Sequence, residues 1–187
     1  NNNNLKIKEL DKFLKKYNKE KILIFGFTFK VWENFYQKIK NKNIKIKNSI
    51  LFHGGGWKQL QNRKISNIVF KNSLKKLLGT SQIYNYYGMA EQAGSIFTEC
   101  EKGFLHSNIF NDIFIRDYNN LTINPNNKKG IVQVISSVPK SYPGHSLLTE
   151  DEGIIYGNDD CKCGRRGKYF SILGRLRDAE LKGCSNV

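Results

Sequence analysis

Apolar positions at Leu5, Ile7, Leu10, Phe13, Leu14 and Tyr17 recur close to every 3.6 residues, which predicts an amphipathic helix over residues 5–18. A short apolar run, Lys21–Phe25, ends at Gly26 and predicts a buried strand. Thr28 stands as the cap of a following helix that carries Val31, Trp32, Phe35, Tyr36 and Ile39 on one side. Ser49–His53 is a second apolar run, closed by Gly54-Gly55-Gly56. Ile65–Leu78 reads as a helix stopped by Gly79, and Ser81–Tyr86 as a third strand. Short apolar strands alternating with helices predict an α/β fold, a parallel sheet with crossover helices.

After Gly88 the pattern changes. Ser95–Cys100, Phe104–Asn108, Ile113–Asp117, Gly130–Ser136, Ser146–Thr149 and Gly153–Tyr156 are short strand candidates separated by Gly, Asn and Pro. They predict a smaller antiparallel β region. The last thirty residues read as loop-rich, with Gly164, Gly167, Gly174 and Gly183. The expected organisation is an α/β portion over 1–94, an antiparallel portion over 95–173 and a C-terminal loop over 174–187.

Composition narrows the class. With 39% hydrophobic and 25% charged residues the chain is not of disordered type. No run of 18 apolar residues exists, so no spanning helix is expected, and the opening Asn-Asn-Asn-Asn-Leu carries no secretory signal. A cytoplasmic, reducing location is therefore expected. The net charge of +15 is uneven: residues 1–78 hold 19 Lys and Arg against 4 Asp and Glu, while residues 79–187 hold 12 of each. A basic nucleic-acid-binding module is thus a competing reading. The lysines scatter, however, and the abundance of Asn, Ile, Phe and Tyr fits the codon bias of an A- and T-rich genome. No polar-aromatic interleaving accompanies the lysines, so nucleic acid is set aside as a partner.

Four segments carry candidate chemistry. His53-Gly54-Gly55-Gly56-Trp57-Lys58 follows a strand, and its glycines let backbone approach a flat ligand or a phosphate closely. Tyr86-Tyr87-Gly88-Met89-Ala90-Glu91 follows the next strand; an aromatic there can stack on a base, and a carboxylate four residues on can hold Mg²⁺. Leu148-Thr149-Glu150-Asp151-Glu152-Gly153 reads as an acidic turn whose Asp can accept from two ribose hydroxyls. Gly174-Arg175-Leu176-Arg177-Asp178 and Lys182-Gly183-Cys184 form a basic, thiol-bearing end.

In order and spacing these segments resemble the adenylate-forming superfamily, which activates carboxylic acids as acyl-adenylates. Tyr87-Gly88-Met89-Ala90-Glu91 resembles its Tyr-Gly-x-Thr-Glu motif, Asp151 sits where its ribose-binding Asp is found, and Gly174-Arg175 through Lys182-Gly183 resembles its hinge motif. Gly-Gly-Gly-Trp-Lys, Ser141-Tyr142-Pro143 and the final Lys-Gly-Cys are most similar to the LuxE-like acyl-protein synthetases of bacterial luminescence, relatives of the phenylacetate-CoA ligases. The resemblance spans roughly residues 20–187. It implies part of the large domain of an adenylate-forming enzyme. Gly54, Gly55 and Gly56 would line an adenine pocket, with Tyr87 stacking on the base and Gly88 beside it. Glu91 would ligate Mg²⁺, Asp151 would hold the ribose, and Arg175 would reach the ribose and phosphates. Lys182 would lie beside Cys184, which would take the acyl group as a thioester. Ala90 stands where the superfamily usually has Thr, whose hydroxyl contacts phosphate. The superfamily's Ser-, Thr- and Gly-rich phosphate-binding loop has no counterpart here. The chain therefore reads as a C-terminal portion with little adenylating activity alone.

The remaining cysteines suggest a second site. Cys161-Lys162-Cys163-Gly164 places two thiols in a Gly- and Arg-rich loop, and Cys100 precedes His106 by six positions. Three thiols and an imidazole are the ligand set of a structural, tetrahedral Zn²⁺. Related aryl-CoA ligases carry a similar Cys-x-Cys-Gly-Arg loop.

The expected function is ATP-dependent activation of a carboxylic acid, a fatty acid by resemblance, and its transfer to Cys184. A partner such as a reductase would then accept the acyl group. An acyl- or aryl-CoA ligase is the alternative. A thiolate suits the transfer because it is the best side-chain nucleophile near neutral pH, and the acyl-adenylate offers AMP as a good leaving group.

Overall fold

The computed structural model describes residues 5–42, 44–55, 65–92, 94–140 and 144–176. The chain divides into two compact units that part between Asn85 and Tyr86, inside a strand.

The first unit opens with helix α1, Ile7–Lys16. Leu5, Ile7, Leu10 and Leu14 pack against the core of this unit, while Lys15 and Lys16 sit at the helix C-terminus, where positive charge complements the dipole. Strand β1, Ile22–Phe27, pairs in parallel with β2, Ser49–Gly54, in the register Ile22↔Ser49 to Phe27↔Gly54. Parallel neighbours need a crossover, and helix α2 supplies it. α2 has three consecutive parts: Thr28–Lys30, a π-helical stretch Val31–Tyr36, and Gln37–Ile39. Val31, Trp32 and Ile39 are buried, as the apolar spacing predicts. Thr28 is not the cap expected of it. Its hydroxyl turns to β2 and donates to the Gly54 carbonyl at 3.0 Å. Helix α3, Asn67–Leu78, starts two residues later than expected because Ser66 caps it, accepting from the Val69 amide. Gly79 ends it at φ +78°, a left-handed conformation that favours glycine. Strand β3, Ile83–Tyr87, follows, giving the order β1-β2-β3. Phe70, Leu74, Leu78, Leu51 and Ile39 form the dry centre of this unit.

The second unit is antiparallel. It runs from the end of β3 through β4 (Phe97–Glu99), β5 (Leu105–His106), β9 (Lys168–Arg175), β8 (Ser146–Asn158) and β7 (Gly130–Ser136) to β6 (Asn111–Arg116). Its core is Phe97, Phe170, Leu105, Ile113, Ile115, Val132 and Val134. Two expectations are corrected here. Ser146–Thr149 and Gly153–Tyr156 are one strand, β8, so Glu150-Asp151-Glu152 lies within the strand and not on a turn. A register shift between Glu152 and Gly153 accommodates it: a Cβ on Gly153 would lie 2.7 Å from Val132 Cγ2. The loop-rich C-terminal stretch contains β9, whose alternation of buried Phe170 with more exposed neighbours is broken up in sequence by Gly167 and Gly174.

Candidate functional site

In the second unit, Tyr87 ends β3 and its phenol donates to Asp151 Oδ2 of β8 at 2.7 Å. Burial, then the Asp151 charge, pushes this phenol well above the ordinary tyrosine value, so it stays a donor. Tyr87 packs against Phe97, which meets Phe170 edge to face at 5.2 Å. Asp151 pairs in register with Arg175 across β8 and β9, and the Arg175 Nε lies 4.0 Å from Asp151 Oδ1. The Arg175 Nη1 also pairs with Glu150 at 3.2 Å. An aromatic ring, a carboxylate and a guanidinium, none fully buried, thus converge from three strands. Asp151 keeps acceptor capacity while accepting the Tyr87 hydrogen bond, because each carboxylate oxygen offers two lone pairs.

Beyond Tyr87 the chain turns at Gly88, where a Cβ would lie 3.1 Å from the Ser95 carbonyl. Glu91 sits exposed on the short 3-10 turn Ala90–Gln92. The fully buried Gln92 anchors that turn by donating from Nε2 to the Gly144 carbonyl at 2.5 Å. Sequence reading missed Gln92; a polar residue beside an expected ligand was its only signal.

In the first unit, β2 ends at Gly54, and Gly55 adopts φ +80° with its would-be Cβ 2.9 Å from the Phe27 ring. The turn needs glycine there for both reasons. His53 is buried, its Nδ1 3.0 Å from Thr28 Oγ1. Because Thr28 spends its one proton on the Gly54 carbonyl, His53 Nδ1 carries the proton and donates. Burial, then the Lys71 charge, lowers the His53 pKa to about 3, so the ring is neutral.

The cysteines and histidine converge as their spacing suggests. One ligand atom each from Cys100, His106, Cys161 and Cys163 lies within 4.8 Å of the others. Cys163 Sγ is 3.4 Å from His106 Nε2 and accepts from the Arg165 amide at 3.4 Å. Gly56, Trp57, Lys58, Ser141-Tyr142-Pro143, Arg177, Asp178, Lys182, Gly183 and Cys184 lie outside the described residues.

The fold is that of adenylate-forming enzymes. 2-Hydroxyisobutyryl-CoA ligase, in an open conformation with 2-HIB-AMP and CoA, superposes with a TM-score of 0.72 at 19% identity, covering 91% of this chain and 36% of that one. The long-chain-fatty-acid-CoA ligase FadD1 from Archaeoglobus fulgidus gives 0.62 at 11%, covering 92% and 37%. ATP-bound MatB from Rhodopseudomonas palustris gives 0.55 at 16%, covering 88% and 33%. The chain thus spans about a third of the length of these structures. A search of curated proteins returns no match. The family model described as acyl-protein synthetase, LuxE, matches residues 3–187, and the chain belongs to that family.

Proposed function

We propose that this chain is part of an enzyme that activates a carboxylic acid, a fatty acid in the favoured case, as its acyl-adenylate and passes the acyl group to its own Cys184. A carboxylate oxygen attacks the α-phosphorus of ATP and the bond to pyrophosphate breaks. The Cys184 thiolate then attacks the acyl carbonyl, and AMP leaves with the electron pair of the anhydride bond. A partner such as a reductase accepts the acyl group from the thioester, in the reducing cytoplasm.

The observation that supports the reading is the convergence of Tyr87, Asp151 and Arg175, with Tyr87 and Asp151 joined at 2.7 Å. Tyr87 stacks on adenine, Asp151 takes the ribose hydroxyls, and Arg175 neutralises charge at the phosphates. Gly88 gives room beside the base. Lys182 assists at Cys184. The cofactors of this reading are ATP, Mg²⁺ held by Glu91, and a structural Zn²⁺ held by Cys100, His106, Cys161 and Cys163. An exposed carboxylate fits Mg²⁺, which keeps most of its waters and takes its other ligands from phosphates.

The test is intact mass of the full-length parent after incubation with ATP, Mg²⁺ and a panel of fatty and aryl acids. A mass gain that hydroxylamine removes and Cys184→Ser prevents is expected. No gain on Cys184, with AMP released only when CoA is added, makes the enzyme an acyl- or aryl-CoA ligase instead.

A further inference from the structure

The second unit has a seam. Strands β6 and β7 share six register pairs from Asn111↔Ser136 to Arg116↔Ile131, and β8 runs beside β9 from Asp151↔Arg175 to Asn158↔Lys168. The ladders β3–β4, β4–β5 and β5–β9 have two register pairs each. Strand β5 is only Leu105–His106, yet it alone stands between β4 and β9 in the strand order. Tyr87 belongs to one side of that seam, and Asp151 and Arg175 to the other.

The four ligand residues lie on this seam. Cys100 follows β4 and His106 is in β5; together they flank the β4–β5 turn, which closes through the Cys100 amide on the Phe104 carbonyl at 2.8 Å. Cys161 and Cys163 lie in the connection from β8 to β9. We infer that one zinc ion on Cys100, His106, Cys161 and Cys163 clasps the β4–β5 turn to the β8–β9 connection and thereby keeps Tyr87 in register with Asp151. This rests on the nucleotide and zinc reading above and assigns the metal its task.

The ligand set fits a single ion. With Zn–S of about 2.3 Å and Zn–N of about 2.0 Å, tetrahedral ligand atoms stand roughly 3.3–3.8 Å apart. The observed Cys163 Sγ to His106 Nε2 separation is 3.4 Å, and all four atoms lie within 4.8 Å of one another. A polynuclear iron–sulfur cluster places sulfides between its irons and needs its thiolates further apart. Cys100, His106 and Cys161 are buried, so four protein ligands leave no open position and the site is structural.

The surroundings support a charged centre. Gly164, at φ +79°, lets the loop turn back so that its amide donates to the Cys161 carbonyl at 2.9 Å. The next amide, of Arg165, donates to Cys163 Sγ, as second-layer donors do for metal-bound thiolates. Three thiolates on a divalent ion leave one net negative charge, and the Arg165 guanidinium stands by to offset it. That guanidinium also donates to the Thr98 carbonyl and hydroxyl at 3.4 and 3.3 Å, a second tie from the loop to β4.

His106 is joined to the cluster through strand pairing on both sides: it faces Thr98, the neighbour of Tyr87's partner Phe97, and it faces Tyr169, six residues before Arg175 on β9. The metal therefore acts through strand register, and its ligands are positioning residues.

The test uses the 187-residue chain, purified reduced. Elemental analysis is expected to find one zinc per chain, and cobalt exchange to give the spectrum of tetrahedral cobalt with thiolate charge transfer. Hydrogen exchange, without nucleotide, then compares the holo chain, the chelated chain and the chain with zinc restored. Removal should speed exchange at least about tenfold at the Cys100 and Ser107 amides, which bond across the seam region, and leave the β6–β7 amides slow. Cys163→His, which keeps four ligands, should retain zinc and slow seam exchange. Absence of stoichiometric zinc overturns the inference. So does seam protection that survives zinc removal, uniform exchange in the chelated chain that includes β6–β7, or fast seam exchange in zinc-loaded Cys163→His. Failure of the full-length parent to bind ATP would sink the nucleotide reading instead, and exchange at the seam is read without it.

Discussion

The phenol of Tyr87 and the carboxylate of Asp151, 64 residues apart in the chain, meet in a hydrogen bond of 2.7 Å. The phenol donates, and the carboxylate keeps lone pairs to spare. Both groups point at the same place from different strands, and this fixes the distance between the ring and the acid before any ligand arrives. In the proposed reading, that distance separates a base from its ribose.

Tyr87→Phe and Tyr87→Ala divide the two roles of this residue. Phe keeps the ring and loses a hydrogen bond to a charged acceptor, worth about 1.5–3 kcal/mol. That loss falls mainly on the stability of the β3–β8 approach. Ala also loses base stacking, worth about 1–3 kcal/mol. Titration calorimetry with a non-hydrolysable ATP analogue should show Ala weakening binding well beyond Phe. Equal affinities for the two variants would contradict stacking.

Arg175 offers the reverse contrast. Its pairs with Glu150 and Asp151 are partly solvated, so Arg175→Ala should lower the unfolding free energy measured in urea by less than about 1 kcal/mol. Acyl-adenylate formation by the full-length parent should nevertheless fall at least about tenfold, as expected for a lost charge at reacting phosphates. A stability loss equal to the activity loss would assign Arg175 to the fold alone.

His53 makes stability depend on pH. Unfolded, it takes a proton near 6.5; folded, not until about 3, because burial and Lys71 disfavour the cation. Between those values the unfolded state binds more protons, so stability is full above 6.5 and is lost as the pH falls, by up to about 1.4 kcal/mol per pH unit. Urea unfolding at pH 7 and pH 5 should show a smaller drop for His53→Gln than for the native chain. An identical drop would mean that His53 is protonated in the fold.

The ends of α3 carry separable contributions. Ser66→Ala removes the cap on Val69 and should cost about 1 kcal/mol. Gly79→Ala forces a side chain into φ +78° and should cost about 1–2 kcal/mol. The sites are far enough apart that the double variant should be additive in thermal melts.

The sequence made some of this legible and hid the rest for physical reasons. The runs ending at Gly26, Gly54 and Tyr86 read as strands because they are short apolar runs closed by turn residues, but the first is not the buried strand expected: β1 alternates, with Ile22 and Ile24 on the core and Leu23, Phe25 and Phe27 exposed. Cys161-x-Cys163 read as half of a ligand set because adjacent thiols in a polar loop have no packing reason. In the sequence β8 reads as two strands because Glu150-Asp151-Glu152 looks like a solvated turn; the acids are held in the strand by their place beside Arg175 and Tyr87. Gly167 just before β9 and Gly174 within it hide that strand in the sequence. Thr28 reads as a cap because its partner, the Gly54 carbonyl, is 26 residues away. Contacts at such separations leave no local pattern, and the Tyr87–Asp151 bond is one of them.

The central claim, acyl-adenylate formation at the Tyr87–Asp151–Arg175 cluster, is tested most directly by acid-dependent exchange of labelled pyrophosphate into ATP. The full-length parent is measured as native protein and as Asp151→Ala. The account predicts exchange that requires both Mg²⁺ and a carboxylic acid and falls at least about a hundredfold in the variant, as expected when the group that orients the ribose is lost. Exchange that persists in Asp151→Ala, or that proceeds without acid, would contradict it.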